Sequence, residues 1–233
     1  PERPEHGLAF VRIGAEVAAI AAKEGGFELR LTDGTLIDAD RVVSAAPAHA
    51  LAGMVAELDG GMADLLREIP YAPMNVVCFG YEREKIARDL NGFGSLIPRK
   101  EGRSILGTLW DSSIFPNRAP EGSVLLRSMM GGATNPAAVD FSETEVRARV
   151  MQDLKDIMGI GATPDFVRIF RHERAIPQYV VGHEQRLRAL DERLKTYPGL
   201  FLTGNAFSGV GLNDCVRSSD ETAERILSQL QGR

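Results

Sequence analysis

The sequence has few cysteines, no excess of positive charge and no long apolar run. Its two cysteines, Cys78 and Cys215, stand far apart and match no metal-ligand or redox spacing, so the sequence predicts neither a zinc site nor a disulfide framework. This pattern favours a reduced, cytosolic setting. No segment reaches the roughly 18 to 20 apolar residues of a membrane-spanning helix.

The charge balance argues against a nucleic-acid partner. The net charge is −5, and the longest cationic cluster is the short stretch PRKEGR, which begins at Pro98. A nucleic-acid-binding surface needs a basic patch or stripe. With 233 residues, of which 44% are hydrophobic and 25% charged, the chain is long enough for one large globular domain or two small ones.

Two short runs typical of β-strands occur near the start of the sequence. Residues 17–20 and 27–31 alternate or cluster apolar side chains, and Asp33-Gly34 supplies a turn into Leu36 and Ile37, which predicts a hairpin or small meander. Val42 and Val43 then run into small residues before Pro47, which predicts a short strand followed by a helix over residues 48–58.

The middle of the chain predicts a mostly antiparallel sheet. Between residues 72 and 132 several apolar runs alternate with turn signals. Apolar residues then recur at helical spacing over residues 142–160, where Ser142 and Glu145 form a capping box. The run DFVRIF predicts a further strand, and residues 183–197 a helix.

The last strand–loop–helix unit is rich in glycine. The strand over residues 200–203 leads through Gly204, Gly209 and Gly211 into a charged helix. Backbone N–H groups at such a helix start favour phosphate oxygens or developing negative charge. By itself, however, the GVG triplet is a weak signal that favours a structural turn, because Asp214 stands where a third glycine would be expected. Asp214 and Arg217 suggest a cap or a surface ion pair.

A wider string resembles a known family. GNAFSGVGLNDC, from Gly204 to Cys215, resembles the C-terminal FAD-contacting motif of the protoporphyrinogen oxidase family, in the flavin amine oxidase superfamily. Three more segments resemble that family's substrate-domain and closing segments, in its order: GFGSLIPRKEGRSILGTLWDSSIFPNRAPEG, VLLRSMMGG and AIPQYVVGH. The resemblance covers nearly the whole chain from about Val17 onward. It lacks the GxGxxG unit and the inserted helical domain of such enzymes, so it implies their C-terminal half.

The resemblance implies FAD as cofactor and a porphyrinogen as substrate, and it assigns residues to each. The residues implied for FAD are Val17, Ala45, Gly204, Val210, Gly211 and Leu212, with Val17 at the adenine end and the amides of residues 210–212 at the flavin end. Those implied for the flat, apolar tetrapyrrole are Phe93, Gly94, Leu96, Leu106 and Met129. No catalytic acid or base is assigned, and Arg99 and Arg127 are interpreted as solvated side chains.

The same resemblance implies an α+β fold. Residues 1–56 and 198–233 would form the remainder of a Rossmann-like FAD-binding domain. Residues 57–197 would form a substrate-binding domain with a mixed or antiparallel sheet and flanking helices. The absent N-terminal half of the enzyme is the implied partner, and apolar surface exposed where it would pack leaves self-association open.

The implied reaction is FAD-dependent oxidation of protoporphyrinogen IX to the porphyrin in haem biosynthesis. Hydride passes to flavin, and O2 is the final acceptor. The 233-residue chain by itself is expected to be inactive and to bind FAD poorly. Two alternatives stay open: another member of the superfamily, such as a coproporphyrinogen, amine or carotenoid oxidoreductase, and a non-catalytic binding module. The implied location is cytoplasmic, with the full-length protein peripheral on a membrane, although this segment carries no membrane signal of its own.

Overall fold

A computed structural model of the chain describes residues 10–231. Its strands are β1 (Val17–Lys23), β2 (Gly26–Leu31), β3 (Leu36–Ala39), β4 (Val42–Ser44), β5 (Tyr71–Glu82), β6 (Gly94–Leu96), β7 (Ile105–Leu109), β8 (Ser123–Gly131), β9 (Phe166–Pro177) and β10 (Leu200–Leu202). Its α-helices are α1 (Ala48–Met54), α2 (Gly60–Arg67), α3 (Asp111–Ile114), α4 (Glu143–Met158), α5 (His183–Leu194) and α6 (Leu212–Gln231). Antiparallel sheets with flanking helices confirm the predicted α+β class.

The chain divides into two units, Pro1–Pro70 with Tyr179–Arg233, and Tyr71–Gln178. The first unit therefore includes α2 and α5, which the domain assignment 57–197 groups with the substrate sheet. Contact-based units and functional domains need not share boundaries, so that assignment stays a prediction. None of the helices within residues 10–231 combines the length and the apolar character needed to cross a bilayer.

The first unit contains the predicted meander. Strands β1, β2 and β3 pair antiparallel in sequence order, and the backbone N–H of Thr35 donates to Asp33 Oδ1 at 2.9 Å in the turn between β2 and β3. The helix predicted over residues 48–58 is shorter than expected, because α1 ends at Met54 and α2 follows. Asp59 starts α2, since its Oδ1 accepts a hydrogen bond from the amide of Met62 at 2.9 Å.

The second unit is a five-stranded antiparallel sheet with strand order β6-β7-β8-β5-β9. Strand β9 is twice as long as the predicted DFVRIF strand, because β5 pairs with it from Gly80↔Phe166 to Tyr71↔Pro177. The core of this unit includes the buried residues Val77, Phe79, Tyr81, Leu126, Met130, Val146, Val150 and Leu154. One face of the sheet is thus covered by the apolar stripe of α4.

The ends of α4 follow the sequence signals. The Ser142 hydroxyl accepts a hydrogen bond from the amide of Glu145 at 3.2 Å, as a capping residue does. The Glu145 carboxylate pairs instead with Arg149 one turn later, at 2.8 Å. Gly159 closes the helix in the left-handed conformation, with φ of 72°, where a side chain is disfavoured.

Candidate functional site

The first unit brings two strand–loop–helix segments to one edge. Strands β4 and β10 pair in parallel, with Val42 opposite Leu200, and the amide of Thr203 continues the ladder to the Ser44 carbonyl at 3.0 Å. Each strand is followed by a loop and a helix, α1 after β4 and α6 after β10. The carboxyl edge of parallel strands is where α/β proteins characteristically bind ligands.

Two predicted cofactor residues meet at this edge. A Cβ on Gly204 would lie 3.7 Å from the carbonyl oxygen of Ala45, and Gly204 has φ of 112°, which L side chains rarely adopt. Ala45 is exposed. These small residues leave the backbone of both loops open to close approach. Val17, by contrast, lies at the start of β1 in the separate three-stranded sheet.

The glycine loop turns into α6 through Gly209, which has φ of 77°. The side chain of Asp214, in the first turn of α6, folds back over this glycine, and a Cβ there would lie 2.6 Å from the Asp214 Cγ. The Asp214 carboxylate also pairs with Arg217 at 2.7 Å, which is the expected surface pair. The loop is therefore closely packed on its inner side while Val210 and Leu212 are exposed.

The amides of this loop are available to a ligand. Among residues 10–231, the backbone N–H groups of Gly209 to Asp214 have no hydrogen-bond acceptor, and the first amide of the segment to find one is that of Cys215, which donates to Gly211 at 3.0 Å. Unpaired N–H groups at a helix start carry partial positive charge and attract anionic or electron-rich groups. Val210, Gly211 and Leu212 thus present the donor set that a negatively charged cofactor edge requires.

The second unit presents the other predicted residues on one side of its sheet. Successive side chains of a strand point to opposite faces, and in β8 Leu126, Ser128 and Met130 are buried on the α4 side. We call the opposite side the open face; its central residues are Leu125, Arg127 and Met129 of β8, Val76, Cys78 and Gly80 of β5, and Phe166, Arg168 and Phe170 of β9. Most of these positions are apolar.

The predicted substrate residues continue this surface onto β6 and β7. Leu96 pairs with Gly107, which in turn pairs with Met129, and the Leu96 side chain covers the glycine, since a Cβ there would lie 3.2 Å from Leu96 Cδ2. Leu96 is 84% exposed and Leu106, at a β-bulge, 37%. Gly94 lies against the Thr108 carbonyl, where a Cβ has no room.

Phe93 precedes this surface. Its backbone carbonyl accepts a hydrogen bond from Trp110 at 3.0 Å, while its side chain is 77% exposed. Structure therefore groups Gly94, Leu96, Leu106 and Met129 on one sheet face, with Phe93 directly before it; what they bind stays a prediction.

Arg127 corrects one expectation. It is not simply solvated, because its Nη2 donates to Asp111 Oδ1 at 2.9 Å, and the two side chains are 39% and 9% exposed. The Arg127 Nε is buried and has no hydrogen-bond partner among residues 10–231. Burial raises the pKa of the neighbouring Cys78 thiol, although the Arg127 guanidinium acts in the opposite direction. The sequence offered one signal for this role: Arg127 alternates with the apolar Leu125 and Met129, so it shares a strand face with them. Arg99 is exposed, as expected.

Comparison with known proteins identifies the family. Residues 4–227 match the family model described as flavin containing amine oxidoreductase. The chain belongs to this family. The family is one of flavin-containing oxidoreductases, and the matched residues include the glycine loop.

Among proteins of this family, the chain is similar to porphyrinogen oxidases. It is 33% identical over 224 residues to coproporphyrinogen III oxidase of Bacillus subtilis, covering 96% of this chain and 47% of that protein. It is 35% identical over 232 residues to protoporphyrinogen oxidase 1, chloroplastic, of Arabidopsis thaliana, covering 93% of this chain and 43% of that protein. The chain thus spans less than half the length of these relatives.

Solved structures share the fold. A crystal structure of an Exiguobacterium sp. 255-15 protein superposes with a TM-score of 0.74 at 27% identity, over 91% of this chain and 46% of that one. Reduced UDP-galactopyranose mutase superposes with a TM-score of 0.67 at 14% identity, over 84% of this chain and 41% of that one. The second similarity concerns the fold alone.

Proposed function

We propose that this chain supplies the FAD-contacting loop and the substrate sheet of an enzyme that oxidises a porphyrinogen to the porphyrin, with O2 as the final acceptor. The observation that carries the proposal is the glycine loop, in which the backbone amides of Gly209 to Asp214 lack acceptors within residues 10–231. Similarity to both protoporphyrinogen and coproporphyrinogen oxidases supports the substrate class.

The residues present fit FAD. Gly204 and Ala45 leave room for a cofactor to approach two backbones at the carboxyl edge of β4 and β10, and the amides of Val210, Gly211 and Leu212 would hold the flavin end. When bound, FAD supplies the hydride-accepting chemistry. These amides, together with the dipole of the 20-residue helix α6, would stabilise negative charge at that edge without a proton transfer.

The open face suits a flat, apolar substrate. Leu96, Leu106 and Met129 offer apolar side chains that are at least partly exposed, and they would cover a tetrapyrrole ring and exclude water from it. Their role is to bind and orient. Gain of aromaticity supplies driving force for the oxidation. Each two-electron step also releases a proton, for which no residue of this chain is assigned.

A backbone substitution tests the cofactor assignment. Leu212 is the first residue of α6, where proline is tolerated because the N–H makes no intrahelical bond. Leu212→Pro therefore deletes one proposed FAD donor with little cost to the fold, while Leu212→Ala removes a similar side chain and keeps the donor. In the whole gene product that contains this chain, we expect Leu212→Pro to weaken FAD binding about fivefold to tenfold relative to Leu212→Ala.

Flavin fluorescence measures the affinity, and fluorescence of the porphyrin formed measures turnover of each porphyrinogen in air. Equal FAD affinity of the Leu212→Pro and Leu212→Ala proteins would contradict the loop assignment. A flavin-loaded protein that oxidises neither coproporphyrinogen III nor protoporphyrinogen IX would contradict the proposed reaction.

A further inference from the structure

A row of cationic side chains crosses the otherwise apolar centre of the open face. Cys78 in β5 pairs with Arg127 in β8 on one side and with Arg168 in β9 on the other. Rows on both sides are uncharged: Met129, Val76 and Phe170 form one, and Leu125, Gly80 and Phe166 form the other. Two guanidinium groups thus flank a single strand within an apolar surface.

Each guanidinium group has a neighbour that favours one orientation. Asp111 accepts a hydrogen bond from Arg127 Nη2 at 2.9 Å, which uses one of the five N–H donors of the guanidinium. The Arg168 Cζ lies 5.6 Å from the centroid of the Phe170 ring, a cation–π distance. An arginine whose orientation is fixed loses less entropy when it binds a carboxylate with its paired donors.

The spacing of the two arginines favours a ligand with carboxylates on opposite sides. Their backbones are two strand spacings apart, about 10 Å. A porphyrinogen with four propionates carries one on every pyrrole, so carboxylates reach both ends of the row. A porphyrinogen with two propionates carries them on neighbouring pyrroles at one edge, so its carboxylates reach one end.

The surface extends into a cavity beside the row of Leu125, Gly80 and Phe166. This cavity has a volume of about 600 Å³ and is also lined by Arg118 and by Glu82 and Asp165, two acidic residues that both pair with Lys85. Its size is within the range of small-molecule sites. The second unit therefore combines an apolar surface, two arginines and an adjoining cavity. This combination suits a flat, apolar ligand that carries carboxylate side chains.

We propose that Arg127 and Arg168 are specificity-determining residues that dock substrate carboxylates on the open face and favour a tetracarboxylate porphyrinogen over a dicarboxylate one. This inference rests on the proposed function, because it takes the open face as the porphyrinogen site. Coproporphyrinogen is then the preferred substrate class, and protoporphyrinogen the poorer one.

The test uses two stable aromatic porphyrins, coproporphyrin III with four carboxylates and deuteroporphyrin IX with two. The change in porphyrin fluorescence on binding measures the affinity for each porphyrin. At low salt we expect the whole gene product that contains this chain to bind coproporphyrin about tenfold more tightly than deuteroporphyrin. Arg168→Met and Arg127→Met should each lower that preference at least threefold, and added salt should lower it as well.

Arg171→Met is the matched control. Arg171 lies on the same strand as Arg168 but pairs with Asn75 of the α4 side, and it donates to the Phe141 carbonyl at 2.6 Å, so its loss should leave the preference unchanged. Because Arg127→Met leaves the Asp111 carboxylate unpaired, the exposed Arg168→Met variant keeps the test valid if the first variant misfolds. Binding of both porphyrins with a preference that neither variant alters would overturn the inference alone. Failure of the unmodified whole gene product to bind either porphyrin would overturn the assignment of the open face and the inference with it.

Discussion

Replacing Gly209 by alanine is expected to destabilise the folded chain by about 2–5 kcal/mol. Gly209 has φ of 77°, and alanine in the left-handed region costs about 1–2 kcal/mol. The new Cβ would also lie 2.6 Å from the Asp214 Cγ and closer still to the Asp214 Cβ. The latter atom is fixed to the backbone of α6 and cannot rotate away, so the loop or the first helical turn must shift, which costs about 1–3 kcal/mol.

Thermal unfolding followed by circular dichroism measures the effect. For a chain of this length each kcal/mol lowers the Tm by about 2–4 °C, so Gly209→Ala should lower it by about 4–20 °C. Gly211→Ala is the control: its φ is not positive, and its nearest neighbour is Oδ2 at the end of the Asp214 side chain, 3.1 Å from the new Cβ. We expect a change below about 1 kcal/mol there. If the two variants unfold within a degree of each other, Gly209 is not held in the described conformation.

Two further predictions concern the second unit. Leu126 lies on the buried side of β8, and Leu126→Ala should lower the free energy of unfolding in urea by about 2–5 kcal/mol. Leu96 is 84% exposed, and Leu96→Ala should change this free energy by about 0.5 kcal/mol or less. Similar losses in the two variants would mean that the covered face is misassigned. Burial raises the pKa of Tyr81 from 10.0 to about 12, so as the pH rises the unfolded chain loses the Tyr81 proton before the folded chain does. The contribution of Tyr81 to stability is present below pH 10 and should be lost as the pH rises through about 12. The stability difference between the unmodified chain and Tyr81→Phe should therefore depend on pH only in that window, and a constant difference would contradict it.

Local signals in the sequence predicted many of the elements. The turn at Asp33, the cap at Ser142 and the start of α6 after Gly211 each depend on residues within a few positions of one another, so the chain's own neighbours determine them. The apolar spacing of α4 likewise follows from the period of a helix. The glycine loop could be recognised as a string, and its resemblance pointed to the family.

The covered face of the sheet could not be predicted in the same way. Strand β8 reads Val-Leu-Leu-Arg-Ser-Met-Met from Val124 to Met130, so both sets of alternate residues contain large apolar side chains. The alternation of side chains along the strand therefore does not decide which of its two faces packs against the core. Packing of α4 decides between them, because it covers Leu126 and Met130 and leaves Leu125 and Met129 for the open face.

By itself the sequence determined the longer helices α4, α5 and α6, most strands, the glycine loop and the family. Tertiary structure alone decided that β4 pairs with β10 from the other end of the chain, that Ala45 meets Gly204, and that Arg127 and Arg168 flank Cys78. The physical reason is that turns and caps depend on nearby residues, whereas strand pairing joins distant segments whose register is fixed only when their side chains are buried together.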